Sequence, residues 1–260
     1  MSSYIDTHAH LYLTEFDGDR DTVVEAAVNR GIGKIFLPNI DSSSIVPMNR
    51  LAERFPGICY PMMGLHPTSV KENYEEELNR VVQELKIHRY YAIGETGIDL
   101  YWDKTFFHEQ GLAFTRQLDL SVEYRLPVII HARESFHEIL EILEGYRSKG
   151  LKGIFHAFTG SVEIAEKVIS MGFKLGIGGI VTYKKSILPD VVRETGLENI
   201  VLETDSPYLT PVPFKGKRNE SAYISYIAES LAMILNTSAE EVGRITTHNA
   251  LQLFQPDNHA

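Results

Sequence analysis

The chain has 260 residues, 43% hydrophobic and 23% charged, the composition of a globular protein able to bury a large core. A formal charge of −10 excludes a broad basic face for non-specific duplex binding but leaves open a phosphate substrate met through bound cations. The one cysteine, Cys59, lies in an apolar run and excludes a disulfide framework.

The first predicted strand is "YID" at 4–6, followed by "DTHAHL", which is not a glycine-rich phosphate loop. "RDTVVEAAVNRG" then places Val23, Val24, Ala27 and Val28 at helical spacing and closes on Gly31. Strands follow at 34–38 ("KIFLP") and 59–64 ("CYPMMG"), and a helix in "EEELNRVVQELK" turns Leu78, Val81, Val82 and Leu85 inward. The fourth strand is expected at 91–94 ("YAIG"), with a longer helix, "EQGLAFTRQLDLSVEYR", whose inward side is Leu112, Phe114, Leu118 and Val122. Strands at 127–131, 153–156, 174–178 and 200–204 complete a set of eight, with helices in "SFHEILEILEGY" and "VEIAEKVISMG" between them. Most of these strands are continuously apolar, as strands buried on both faces are.

Eight strand–helix units in this length predict an α/β protein, a (β/α)8 TIM barrel formed as a single domain over 1–260. From Ala222 onward two amphipathic helices close the barrel, the second capped by "NTSAEEV". The N-terminus lacks an export signal and no run approaches the roughly 20 apolar residues of a membrane span. A cytoplasmic protein with no membrane association and no obligate protein partner is therefore expected.

Barrel enzymes draw their active-site groups from the carboxyl ends of the strands. Here those ends carry His8 and His10, then His66 in "GLHP", then Glu95 and Asp99 in "GETGID". Further along come His131 and Arg133 in "HAR", His156 in "HAF", and Glu203 and Asp205 in "ETDSP". Any one of these alone reads as a hydrogen-bonded strand-end residue. Together they place five of the ten histidines at one rim, and strand alternation lets His8 and His10 face one ion. Imidazoles and carboxylates without thiolates suit Mg²⁺, Zn²⁺, Mn²⁺ or Fe²⁺. Six candidate ligands are too many for one tetrahedral ion, whereas a bridging carboxylate would serve two divalent ions that activate water for hydrolysis.

The blocks "DTHAHL", "GLHP", "IGETGID", "VIIHAR", "HAFTG" and "LETDSPYL", in that order, resemble the TatD family of metal-dependent hydrolases in the amidohydrolase superfamily. The resemblance runs from Tyr4 to about Phe254. It implies a (β/α)8 barrel and a Mg²⁺-supported deoxyribonuclease acting 3′→5′. It also implies that His8, His10 and Asp205 hold one metal, that His131 and His156 hold the other, and that Glu95 bridges them, with Asp205 as proton acceptor. Two positions depart from the family pattern: Tyr12, where members carry an acid or amide, and Ser221, where proline is common.

For the substrate, Arg133 is expected to grip a phosphate and His66 to donate to a phosphate or leaving oxygen. Lys215, Lys217 and Arg218 in "TPVPFKGKRNE", and Lys184 and Lys185 in "TYKK", are candidates for nucleic-acid contact. Phe158, Tyr183, Tyr208, Tyr101 and Trp102 are candidates to stack on bases of single-stranded or frayed DNA. The alternative keeps the metals and replaces DNA by a small amide, lactone or phosphoester. A non-catalytic barrel would have a broken ligand set.

Overall fold

The computed structural model describes residues 4–255, so the outermost residues of the expected unit 1–260 lie outside it. Eight strands alternate with helices: β1 (Tyr4–Asp6), β2 (Ile32–Pro38), β3 (Cys59–Met62), β4 (Ile93–Asp99), β5 (Val128–Arg133), β6 (Gly153–Phe155), β7 (Phe173–Ile177) and β8 (Ile200–Leu202). All pairings are parallel, in an arc of β1-β2-β3 and an arc of β4 through β8. Isolated parallel bridges join the arcs at both seams, Met63 to Ile93 and Ala9 to Ser206. At the second seam His10 N donates to Ser206 O at 2.7 Å and Asp205 N to His8 O at 2.8 Å. The architecture is that of an α/β, (β/α)8 barrel.

The outer layer consists of α1 (Arg20–Asn29), α2 (Ile45–Arg54), α3 (Tyr74–Ile87), α4 (Phe107–Tyr124), α5 (Phe136–Glu144), α6 (Val162–Ser170), α7 (Leu188–Thr195), α8 (Ile224–Leu235) and α9 (Ala239–Phe254). Of the residues expected to face inward, Val28 and Leu112 are instead 41% and 46% exposed, because each lies at the edge of its helix's apolar stripe. Two helices beyond those expected, α2 and α7, also form. Each buries one apolar side, Ile45, Met48 and Leu51 in α2 and Leu188, Val191 and Val192 in α7, and each carries proline in the first turn, where the missing N–H is harmless. The Ser238 cap of α9 forms as expected, its side chain accepting from Glu241 N.

The expected fourth strand is displaced. The structure starts it at Ile93 and carries it through Asp99, because β5 pairs with Thr96, Gly97, Ile98 and Asp99 after a register shift. A Cβ at Gly97 would sit 2.0 Å from the His131 carbonyl oxygen, so only glycine allows this approach. "GETGID" reads as a loop because its strand character comes from its neighbour, not from its own side chains.

Inside the barrel, Ile5, Phe36, Met62, Ile129, Ile154 and Val201 form an apolar floor with Phe254 at the end of α9. The Phe36 and Phe254 rings stack at 3.8 Å. Strand alternation then carries Ile129 to His131, Ile154 to His156, and Val201 to Glu203 and Asp205. The hydrophobic plug thus ends where the polar site begins.

Candidate metal centre

Glu95 occupies the middle of the barrel mouth, 1% exposed. Its two carboxylate oxygens serve different groups. Oε2 lies 3.1 Å from His8 Nε2 and 3.6 Å from His10 Nε2. Asp205 Oδ1 is 3.6 Å from each of these nitrogens, which are 3.2 Å apart. Oε1 lies 2.6 Å from His156 Nε2, 2.8 Å from His131 Nδ1 and 3.2 Å from His66 Nε2.

These spacings suit ions. Bonds near 2.1 Å keep tetrahedral ligands about 3.4 Å apart and octahedral ones about 3.0 Å apart. The first group, His8, His10, Glu95 and Asp205, fits the former value. The second, Glu95, His131 and His156, fits nearer the latter. Among the described residues, three triads have donor atoms close enough to share an ion: His8, His10 and Glu95 within the first group, His8, His156 and Asp205 across the two, and Glu95 and His131 with His66.

The outer ring nitrogens decide which inner nitrogen offers a lone pair. His131 Nε2 faces Asp99 Oδ2 at 2.8 Å, so Nε2 keeps its proton, and Nδ1, 2.8 Å from Glu95, is the nitrogen that would turn a lone pair to a bound ion. Tyr12 performs the same service for His10. Its hydroxyl donates to Pro38 O at 2.5 Å and therefore accepts, at 2.9 Å, from His10 Nδ1–H. The departure from the family pattern at this position thus still leaves an acceptor behind His10. His66 is different. Thr68 N donates to His66 Nδ1 at 3.1 Å, so in the neutral ring Nε2 carries the proton and points it toward Glu95 Oε1. Among the described residues His8 Nδ1 and His156 Nδ1 make no hydrogen bond, and the two rings stack in parallel at 3.9 Å.

The electrostatics follow from burial and crowding. Burial alone would push Glu95 up, but the imidazoles of His156, His66 and His8 hold it ionised well below the ordinary carboxylate range. Burial also works against a charged His10, yet Asp205 and Glu95 override it and lift the ring to about 10. Burial and the neighbouring His156 push His8 down. For Asp205, the His10 contact and the surrounding imidazoles outweigh burial and lower it. Beneath the site, burial raises Asp6 to about 7, and its Oδ2 accepts from Thr204 Oγ1 at 2.6 Å.

The glycine near the end of β7 has a spatial cause. A Cβ at Gly176 would lie 2.2 Å from Glu203 Oε2. Glu203 is fully buried and accepts from Ala157 N at 2.5 Å, with His156 Nδ1 at 3.7 Å. At the other seam Asn219 fastens the loop ahead of α8, donating to Thr204 O and Tyr208 O, so Ser221 needs no proline to stiffen it.

Above the centre opens a cleft of about 730 Å³, bordered by Trp102, Arg133, Tyr208, Thr159 and Ile180. Arg133 does not pair with Glu203 or Asp99. Its guanidinium lies 3.9 Å over the Tyr101 ring and 5.2 Å from Trp102. Lys215 and Arg218 are not on the cleft wall. Lys215 Nζ rests 4.1 Å over Tyr183, and Arg218 is gripped by Asp19 (2.8 and 2.7 Å) and Glu220 (3.0 Å). Asp19, distant in sequence, and Glu220, two positions on, thus pair with its charge. Among the aromatic candidates, Phe158 is core, 1% exposed against Phe136, and Tyr183 donates to Thr210 O. Trp102 and Tyr208 reach the cleft.

A barrel with this set of imidazoles and carboxylates at its strand ends defines a metal-dependent hydrolase. The profile of the family described as TatD related DNase matches residues 5–255. The chain belongs to the TatD family. It is 38% identical over 252 residues to an uncharacterized metal-dependent hydrolase, YabD, of Bacillus subtilis, covering 96% of this chain and 98% of the relative. It is 31% identical to a protein named 3′-5′ ssDNA/RNA exonuclease TatD from Pantoea sp., covering 96% and 98%. The crystal structure of the TatD homologue YjjV from Escherichia coli superposes with a TM-score of 0.91 at 30% identity, covering 97% and 98%. Among the described residues, no helix is long and apolar enough to cross a membrane.

Proposed function

We propose that the protein is a deoxyribonuclease that removes nucleotides from the 3′ end of single-stranded or frayed DNA. The observation that carries this reading is the position of Glu95, each of whose oxygens faces a separate group of histidines. His8, His10 and Asp205 would hold one divalent ion, His131 and His156 the other, and Glu95 both, with Mg²⁺ the first candidate and Zn²⁺, Mn²⁺ or Fe²⁺ the others. Bound there, such ions supply Lewis acidity that favours ionised water and neutralises phosphoryl oxygens. The name of the Pantoea relative supports a nucleic-acid substrate.

The chain's own groups then divide the remaining work. Asp205, at the rim and ionised, takes the proton of the attacking water. His66, locked by Thr68 with its N–H toward the cleft, donates to a phosphoryl or leaving oxygen as one P–O bond forms and another breaks. Arg133 offers a planar fork to a non-bridging oxygen pair. Lys215, outside the cleft wall and over the Tyr183 ring, would meet a phosphate further along the strand only by leaving that ring, while Arg218 braces the loop that carries it.

The test is a 5′-labelled single-stranded oligonucleotide incubated with Mg²⁺, Mn²⁺ or Zn²⁺, beside a panel of small amides, lactones and phosphoesters. A ladder shortening from the 3′ end is the expected result. Turnover of a small ester or amide with the oligonucleotide left intact overturns the proposal.

A further inference from the structure

The chain has one tryptophan, and it stands at the mouth of the cleft, 68% exposed. Exposed apolar side chains are common on protein surfaces, and exposure alone assigns nothing. The way this one is held is the informative part. Asp99 Oδ1 accepts from Tyr101 N at 3.0 Å and from Trp102 N at 3.1 Å, while Oδ2 takes His131 Nε2–H at 2.8 Å. One carboxylate therefore orients a histidine of the centre and fixes the backbone under the indole. Gln110 secures Asp99 in turn, accepting from its N–H at 2.8 Å. Leu100 N donates to Arg133 O at 3.0 Å, which ties the turn to β5.

The side chains on that turn form a mixed surface. Tyr101, 51% exposed, stands edge-on to Trp102 with centroids 5.0 Å apart, and the Arg133 guanidinium covers Tyr101 at 3.9 Å. The Arg133 guanidinium lies closer to the phenol than to the indole, 3.9 against 5.2 Å, and of the two aromatic residues bordering the cleft Trp102 is the more exposed, 68% against 48% for Tyr208. A rigid π-face beside a guanidinium matches a nucleotide: the base stacks and the phosphate pairs with the cation. A purely aliphatic or amide substrate would leave that face wet.

Resting on the nuclease reading above, we propose that Trp102 is a stacking platform for one unpaired nucleobase, adjacent to the phosphate held by Arg133. The platform discriminates single strands from duplexes because a paired base must be unpaired and drawn out of its stack before the indole can take its place.

The single indole is its own reporter. Metal-loaded protein titrated with a short phosphorothioate oligothymidylate should show saturable quenching of tryptophan fluorescence. An abasic oligomer of the same length should produce none. In steady state, Trp102→Ala should raise KM for a cleavable oligonucleotide about tenfold with the effect carried by KM rather than kcat, and Trp102→Phe should recover most of it. Equal quenching by the abasic strand, no quenching by a strand the enzyme cleaves, or an unchanged KM in Trp102→Ala each overturns the platform. If wild-type protein fails to cleave DNA at all, the nuclease reading fails separately, and the quenching comparison still reports whether a base stacks.

Discussion

Replacing Tyr12 by phenylalanine removes one oxygen from the interior and leaves two groups without partners. The phenol is 3% exposed, and burial holds it far above its ordinary pKa, so it keeps its proton. That proton goes to Pro38 O, and His10 Nδ1–H goes to the phenol oxygen. Losing both contacts costs about 1–3 kcal/mol for each buried group left unsatisfied, offset where the site relaxes. A net loss of about 2 kcal/mol in a chain of this length lowers the metal-free melting temperature by about 4–8 °C. The larger consequence concerns the metal. With no acceptor behind Nδ1, His10 loses its bias toward the ring form that presents Nε2 to Glu95 and Asp205, and losing such an outer partner weakens binding about 10–100-fold. Competition titration against a chromophoric chelator with Mn²⁺ or Zn²⁺ measures this. Tyr12→Glu restores an acceptor and should return affinity to within a few-fold of wild type. An affinity unchanged in Tyr12→Phe, or no recovery in Tyr12→Glu, would refute the reasoning.

Other expectations follow from the same geometry. Metal affinity should rise with pH, because His10, lifted to about 10 in the metal-free site, must lose a proton to bind. Calorimetry in two buffers of different ionisation enthalpy should detect that proton. A raised folded-state pKa means the stability His10 gives the metal-free protein is full below its unfolded value near 6.5 and is lost as pH climbs toward 10. Melting temperatures in EDTA should therefore fall between pH 7 and 9 as far as His10 governs them, while the metal-induced increment grows. His66→Ala should lower kcat about 10–100-fold with metal affinity within a few-fold of wild type, since Nε2–H is a donor; a matching loss of metal would make His66 a ligand instead. Asp205→Asn should reduce kcat about 10²–10⁴-fold, and full activity in that variant would remove Asp205 from the chemistry.

Seven of the eight strands were legible in place because parallel strands buried on both faces are written as apolar runs, and each run's end could be followed to its polar residue. Glu95 and Asp99 were legible as candidates while the strand that holds them was not, since "GETGID" is straightened by pairing with β5. The six proposed ligands fall together because alternation and barrel closure both act on local sequence. What stayed hidden depends on partners distant in the chain or on hydrogen direction. Arg218 reads as a free cation until Asp19, some two hundred positions earlier, is seen to hold it. Arg133 reads as a free phosphate grip, yet its guanidinium rests on the Tyr101 ring. Thr68 is an ordinary loop residue in sequence, but its backbone N–H fixes which nitrogen of His66 carries the proton. Phe158 counts as a rim aromatic by position and is core by packing.

Anomalous diffraction from crystals grown with Mn²⁺ bears most directly on the paired-ion centre. Two peaks are predicted at the barrel mouth, one bonded to His8, His10, Glu95 and Asp205, the other to Glu95, His131 and His156, with His66 beyond bonding distance. A mouth without anomalous density, or ions bound away from Glu95, would contradict the account.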